Sequence, residues 1–131
     1  MAIHLKRVHH IAIICTNYEK SKHFYVNILG LRPIREIYRE ERRSYKLDLA
    51  VGDEYQIELF SFPSPPSRPS FPEAAGLRHL AFEVDSIDDT VSEIQAAGIE
   101  VEDVRIDPTT NKKFTFFTDP DQLPIEIYEG A

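Results

Sequence analysis

The chain has 131 residues, 42% of them apolar and 28% charged, which allows one compact domain or two small similar halves and excludes wholesale disorder. Its net charge of −7 has the wrong sign for a protein that must displace phosphate counterions, no stretch approaches the roughly 20 apolar residues of a membrane span, and Met1–Ile14 carries no cleavage site after an apolar run. A lone cysteine, Cys15, cannot close an internal disulfide, so the expectation is a cytoplasmic protein with a small-molecule partner, not one bound to nucleic acid or membrane.

The first predicted element is an alternating apolar strand, Val8–Cys15, which runs into a helix-capping signal at Thr16–Glu19. A helix follows, with Ser21, Phe24, Tyr25, Ile28 and Leu29 spaced to share one face, and Gly30 ends it. Three β-type runs come next, about Pro33–Glu41, Tyr45–Val51 and Tyr55–Phe62. A segment dense in proline, Pro63–Gly76, then reads as a stiff extended linker, with a lid beside a ligand pocket or a proline-motif docking site as its other possible uses. After it the pattern repeats: a strand over Leu77–Val84, a cap at Ser86–Asp89, a helix with Ile87, Val91 and Ile94 on one face, Gly98, and runs over about Ile99–Ile106, Lys113–Thr118 and Pro124–Tyr128.

The repeat is internal homology in sequence. VHHIAIICTNYEKS from Val8 aligns with LRHLAFEVDSIDDT from Leu77, His10 falls on His79 at an offset of 69, and Glu58 falls on Glu126 at an offset of 68. The expected architecture is therefore α+β: one domain over 1–131 made of two βαβββ modules, about 8–62 and 77–129, joined by the linker at 63–76, with curled sheets that form a cleft.

Strand parity decides which side chains can meet. His10 shares a face with Ala12 and Ile14, and His79 shares one with Ala81 and Glu83. Glu58 and Phe60 are on one face of their strand, as are Glu126 and Tyr128, while Ile57, Leu59, Ile125 and Ile127 belong under the helices. A carboxylate between such apolar neighbours is costly to bury unless it is paired, protonated or bound to a cation, and here that cost is repeated at equivalent places. Two imidazoles and two carboxylates make a mixed N/O set suited to one divalent ion such as Zn, Ni, Co, Mn or Fe, with two further positions for water or substrate. The same residues could instead form two His–Glu hydrogen-bonded pairs in a polar core. Cys15 and His9 fall on the helix-facing side, where an inert buried thiol and a core or edge histidine are expected. The segment Arg32–Lys46 carries a local charge of +3, as a solvated hairpin or as an anchor for an anionic substrate group. Arg43 and Arg68, with Phe60 and Tyr128 beside the glutamates, are the candidate substrate contacts, and Arg78, Lys112 and Lys113 are further cationic candidates.

The segments HHIAIICTNYEKSKHFYVNILGL, QIELFSF, GLRHLAFEV and FFTDPDQLPIEIYE resemble the vicinal oxygen chelate superfamily, whose members include glyoxalase I and methylmalonyl-CoA epimerase, and most of all its short bacterial glyoxalase-like members. The resemblance covers Val8 to Glu129. It implies a homodimer and places the glyoxalase I metal ligands at His10, Glu58, His79 and Glu126. Extradiol dioxygenases and fosfomycin-modifying enzymes of the superfamily use three ligands, matching His10, His79 and Glu126, and bleomycin-binding members need no metal. Glu58 thus speaks for the lyase and isomerase side, and against the epimerase, which usually has Gln there. The implied chemistry is isomerisation of an oxoaldehyde–thiol adduct, the thiol being one such as glutathione, through an enediolate, with Glu58 or Glu126 as the base. A dioxygenase and a drug-binding resistance protein are the alternatives. The turn Asp119–Gln122 departs from the pattern, since many members have Gly where Gln122 stands.

Overall fold

The computed structural model describes residues 2–130 and divides after Pro66 into two compact units. In the first, β1 (Ile11–Cys15) leads to α1 (Tyr18–Lys22), then to β2 (Arg32–Arg39), β3 (Ser44–Val51) and β4 (Glu54–Ser61). The strands form one sheet in the order β1-β4-β3-β2, with β1 parallel to β4 and the other pairs antiparallel. The second unit repeats this with β5 (Leu80–Val84), α2 (Ile87–Ala96), β6 (Arg105–Ile106), β7 (Lys113–Thr118) and β8 (Pro124–Glu129), in the order β5-β8-β7-β6.

Both helices start where a side chain takes an orphan backbone N–H. Asn17 accepts from Lys20 N (3.2 Å) and Ser86 from Asp89 N (3.2 Å). Each helix lays its apolar face on its own sheet: Phe24 and Tyr25 are buried in unit one and Ile87 and Ile94 in unit two, with α1 packed on β4 and α2 on β7 and β8. The expected strand alternation holds. Ile57, Leu59, Ile125 and Ile127 are at most 3% exposed, and Ile13 and Cys15 are buried while Ala12 and Ile14 are exposed.

Four elements differ from the sequence expectation. The first strand of each unit begins at Ile11 and Leu80, because the parallel ladder starts at Ile11↔Ile57 and Leu80↔Ile125. His10 and His79 are thus the last residues before their strands, and the position beyond Ile125 is Pro124, which has no N–H to extend a ladder. The first helix is α-helical only to Lys22 and continues over His23–Ile28 as π-type turns, closed by Leu29 N donating to Phe24 O at 2.9 Å. The run expected over 99–106 contracts to Arg105–Ile106; ahead of it Glu102 is tied to the neighbouring strand by its N–H to the Phe116 carbonyl (3.0 Å) and by its carbonyl, which accepts from the Thr115 hydroxyl (2.8 Å).

Candidate metal centre

Each unit brings its histidine to its glutamate. His10 Nε2 lies 3.3 Å from Glu58 Oε2, and His79 Nε2 lies 3.1 Å from Glu126 Oε1. The strand registers make the two pairs equivalent: Ala12 faces Glu58 and Ala81 faces Glu126 across the parallel ladders. Across the antiparallel ladders, Asp48 faces Glu58 where Phe116 faces Glu126, and Lys46 faces Phe60 where Phe114 faces Tyr128. The His and Glu recur, and the residues packed around them do not.

Around Glu58 the surroundings are polar and cationic. Glu58 is 7% exposed, accepts from the Tyr55 hydroxyl and has Lys46 Nζ at 3.7 Å. Lys46 Nζ also donates to Asp48 Oδ1 (2.7 Å), and Arg35 donates through Nη2 (2.8 Å) and Nε (3.1 Å) to Asp48 Oδ2. Burial works to raise the Asp48 carboxyl, but the bonds from Lys46, Arg35 and Tyr55 outweigh it and hold it below the usual carboxylate range. Burial, and then hydrogen bonding to Glu58 and Asp48, push the Tyr55 hydroxyl well above the ordinary phenol range. Strand parity alone would put Tyr55 on the face opposite Glu58; the ladder shifts register between Leu49 and Ala50, and this irregularity turns it back.

Glu126 has aromatic neighbours instead. The His79 ring meets Phe116 edge to face at 5.1 Å, and Phe114 stacks on Tyr128 at 6.2 Å. Arg78 Nη1 lies 3.0 Å from His79 Nδ1. A guanidinium only donates, so His79 Nδ1 is the acceptor in this contact. His10 Nδ1 meets His9 Nδ1 at 2.9 Å. His9 is exposed, with its ring 5.6 Å from Tyr55; it is not a core residue, because the strand that would have turned it inward starts two residues later. Cys15 is buried, its Sγ 3.3 Å from the Phe60 carbonyl.

Each pair sets an imidazole Nε2 beside a carboxylate oxygen, donor types that divalent ions take. Coordination through His79 Nε2 requires its proton on Nδ1, so Arg78 must release that atom. Among the described residues no three His, Cys, Asp or Glu side chains gather as a ligand set, and each unit supplies a pair.

The other expected contacts are placed as follows. Phe60 carries the Arg39 guanidinium over its ring at 4.9 Å. The Tyr128 hydroxyl donates to Asp107 Oδ2 at 3.0 Å. Arg43 sits in the β2–β3 turn in the left-handed region, with φ 47°. Arg68 holds the linker to unit two through the carbonyls of Leu77 (2.9 Å) and Arg78 (3.1 Å). Lys112 donates to the Gly130 carbonyl and Lys113 pairs with Asp88. Sequence reasoning missed Asp48, Tyr55, Arg105 and Phe116 and met Lys46 only as one cation of the basic segment; the hairpin registers that place them leave no mark in composition or spacing.

Residues 7–127 match the model of the Glyoxalase/Bleomycin resistance protein/Dioxygenase superfamily. The chain is 65% identical over 125 residues to the uncharacterized protein YwkD of Bacillus subtilis, covering 95% of this chain and 98% of the relative. The crystal structure of a glyoxalase family protein from Enterococcus faecalis is similar at 48% identity and a TM-score of 0.87, covering 95% of this chain and 98% of that one. A more distant structure shares the fold: a mutant of the fosfomycin resistance protein FosX from Listeria monocytogenes, complexed with Mn(II) and 1S,2S-dihydroxypropylphosphonic acid (21% identity, TM-score 0.74, covering 98% of this chain and 95% of that one). No helix among the described residues is long and apolar enough to cross a membrane.

Proposed function

The chain belongs to the Glyoxalase/Bleomycin resistance protein/Dioxygenase superfamily, and from that premise we propose that it is a metal-dependent lyase or isomerase of glyoxalase type. His10, Glu58, His79 and Glu126 are the protein ligands of one divalent ion, contributed by the two halves of one chain or of two chains in a homodimer. The substrate is a small molecule with vicinal oxygens, such as an oxoaldehyde–thiol adduct. The observation that carries this reading is the recurrence of a His Nε2–Glu contact, 3.3 Å and 3.1 Å, at register-equivalent places whose other surroundings diverge. FosX, complexed with Mn(II), supports a divalent ion on this fold.

When bound, the ion supplies Lewis acidity that makes the hydrogen on the carbon beside a carbonyl easier to remove. The chain's own residues then divide the remaining work. Tyr55 and Lys46 tie Glu58 in place. Glu126 has the His79 ring as its near polar neighbour and an aromatic residue opposite it, so it is the carboxylate freer to accept a proton at Oε1 or Oε2 and return it to the neighbouring carbon.

The test is a panel of oxoaldehyde–thiol adducts offered to protein reloaded with Zn, Ni, Co, Mn or Fe. The reading expects one ion per His–Glu quartet, a higher melting temperature with the ion than after chelation, and solvent deuterium at the carbon next to the carbonyl during turnover. Wild-type protein that binds no divalent ion, or turnover that consumes oxygen, overturns it.

A further inference from the structure

The second unit contains a cavity of about 220 Å³ whose lining includes Arg68, Arg78, Arg105, Phe71, Phe116 and Glu102. Arg68 builds its wall and is spent on backbone carbonyls and the Ser70 hydroxyl. Arg78 and Arg105 are held differently. Each has one carboxylate partner, Glu73 at 3.1 Å and Glu102 at 3.0 Å, and those glutamates are 67% and 61% exposed. Exposed pairs of this kind contribute little and are readily exchanged for another anion.

The Arg105 guanidinium lies over Phe114 at 5.0 Å and over Phe116 at 5.6 Å, which fixes its plane. Among the described residues its side chain hydrogen-bonds through Nη2 alone, so the Nε and Nη1 edge is open. The fold does not require this aromatic platform. The equivalent positions in unit one are Lys46 and Asp48, and the same sheet forms there. The platform also adjoins the metal-ligand candidates, because Phe116 touches the His79 ring and Arg78 Nη1 contacts His79 Nδ1.

We propose that this cavity is an anion subsite of the active site, in which Arg78 and Arg105 hold a carboxylate or phosphonate group of the substrate against the Phe116 ring, so that the substrate is a small organic acid. The subsite role rests on the metal-dependent reading given above; the binding itself does not need the ion. Planar guanidiniums match both kinds of oxyanion through paired N–H donors. The cavity's size fits an acid of a few carbons rather than a coenzyme.

The experiment titrates metal-free, full-length ¹⁵N-labelled protein with acetate in one arm and methylphosphonate in the other, at constant ionic strength, and follows the arginine Nε–H resonances. Saturable shifts of Arg78 and Arg105 are expected in at least one arm, and the tighter arm identifies the anion. Arg78→Gln and Arg105→Gln should each weaken binding at least fivefold, their combination should abolish it, and Arg42→Gln in the β2–β3 turn should leave it unchanged. No saturable shift in either arm, or undiminished binding by the double variant, overturns the proposal. Metal content, measured separately after reloading, reads the other hypothesis: ion binding without anion binding refutes the subsite alone, and anion binding without ion binding refutes the metal site alone.

Discussion

Asp48→Asn tests whether the polar network around Glu58 is a working part of the first unit. Asp48 is 1% exposed, and its two oxygens accept from Lys46 at 2.7 Å and from Arg35 at 2.8 and 3.1 Å. Asn removes the charge and can present an amide N–H to groups that only donate. Breaking a buried pair costs about 3–5 kcal/mol when the partner is left uncompensated. Here Arg35 is 61% exposed and can be hydrated, and Lys46 can turn to Glu58 at 3.7 Å, so the expected loss is smaller, about 2–3 kcal/mol. With a urea m-value of roughly 1.5 kcal/mol/M, that moves the unfolding midpoint down by about 1.3–2 M at pH 7. The pH dependence supplies a second signature. The Asp48 carboxyl is held below its ordinary value in the folded state, so its contribution is complete above the unfolded value near 4 and is lost as pH falls through the lower, folded one. The gap between wild type and Asp48→Asn must therefore close on acidification below about pH 4. A midpoint shift under about 0.3 M at pH 7, or a gap that stays constant into acid, refutes the reasoning.

The remaining predictions concern the site and one turn. Glu126→Gln should lower kcat by about 10²–10⁴-fold while retaining ion, whereas Glu58→Gln should chiefly weaken ion affinity; stopped turnover and metal titration distinguish the two. Arg78→Ala frees His79 Nδ1 to carry the proton that coordination through Nε2 requires, so a chelator competition should show equal or tighter ion binding even as the anion subsite is lost. Gln122 has φ 67°, a conformation that suits Gly, so Gln122→Gly should melt no lower than wild type while Gln122→Val loses about 1–2 kcal/mol.

Much of the fold is legible because apolar alternation and capping residues act locally. The burial of Ile57, Leu59, Ile125 and Ile127 and the caps at Asn17 and Ser86 follow from spacing alone. The His–Glu pairing within each unit is legible for the same reason, since parallel register couples two short strands whose parity is fixed by their apolar faces. What surrounds each pair depends on pairing between distant segments. Tyr55 reaches Glu58 only because the β3–β4 ladder shifts at Leu49/Ala50, and no residue type there announces the shift. Of the two places expected for His9, core or edge, its exposure excludes the core, because parity extends a strand past the end of its ladder.

The divergence between the halves bears on how a duplicated module becomes an asymmetric catalyst. If both glutamates only held an ion, equivalent surroundings would serve both, and a fold that accepts Lys46 and Asp48 in one sheet and Phe114 and Phe116 in the other imposes no such difference. Placing Lys46 and the Tyr55 hydroxyl around Glu58 restricts its movement. Placing rings and one imidazole around Glu126 leaves it fewer competing donors, so that it is free to take a proton from carbon and return it. The same rings seat Arg105 over their faces, so the substitutions that distinguish the proposed base also build the wall of the cavity beside it. Under the two proposals, substrate orientation and base identity are set by the same two positions, and a variant at Phe116 should disturb both together while one at Asp48 disturbs neither orientation nor anion binding.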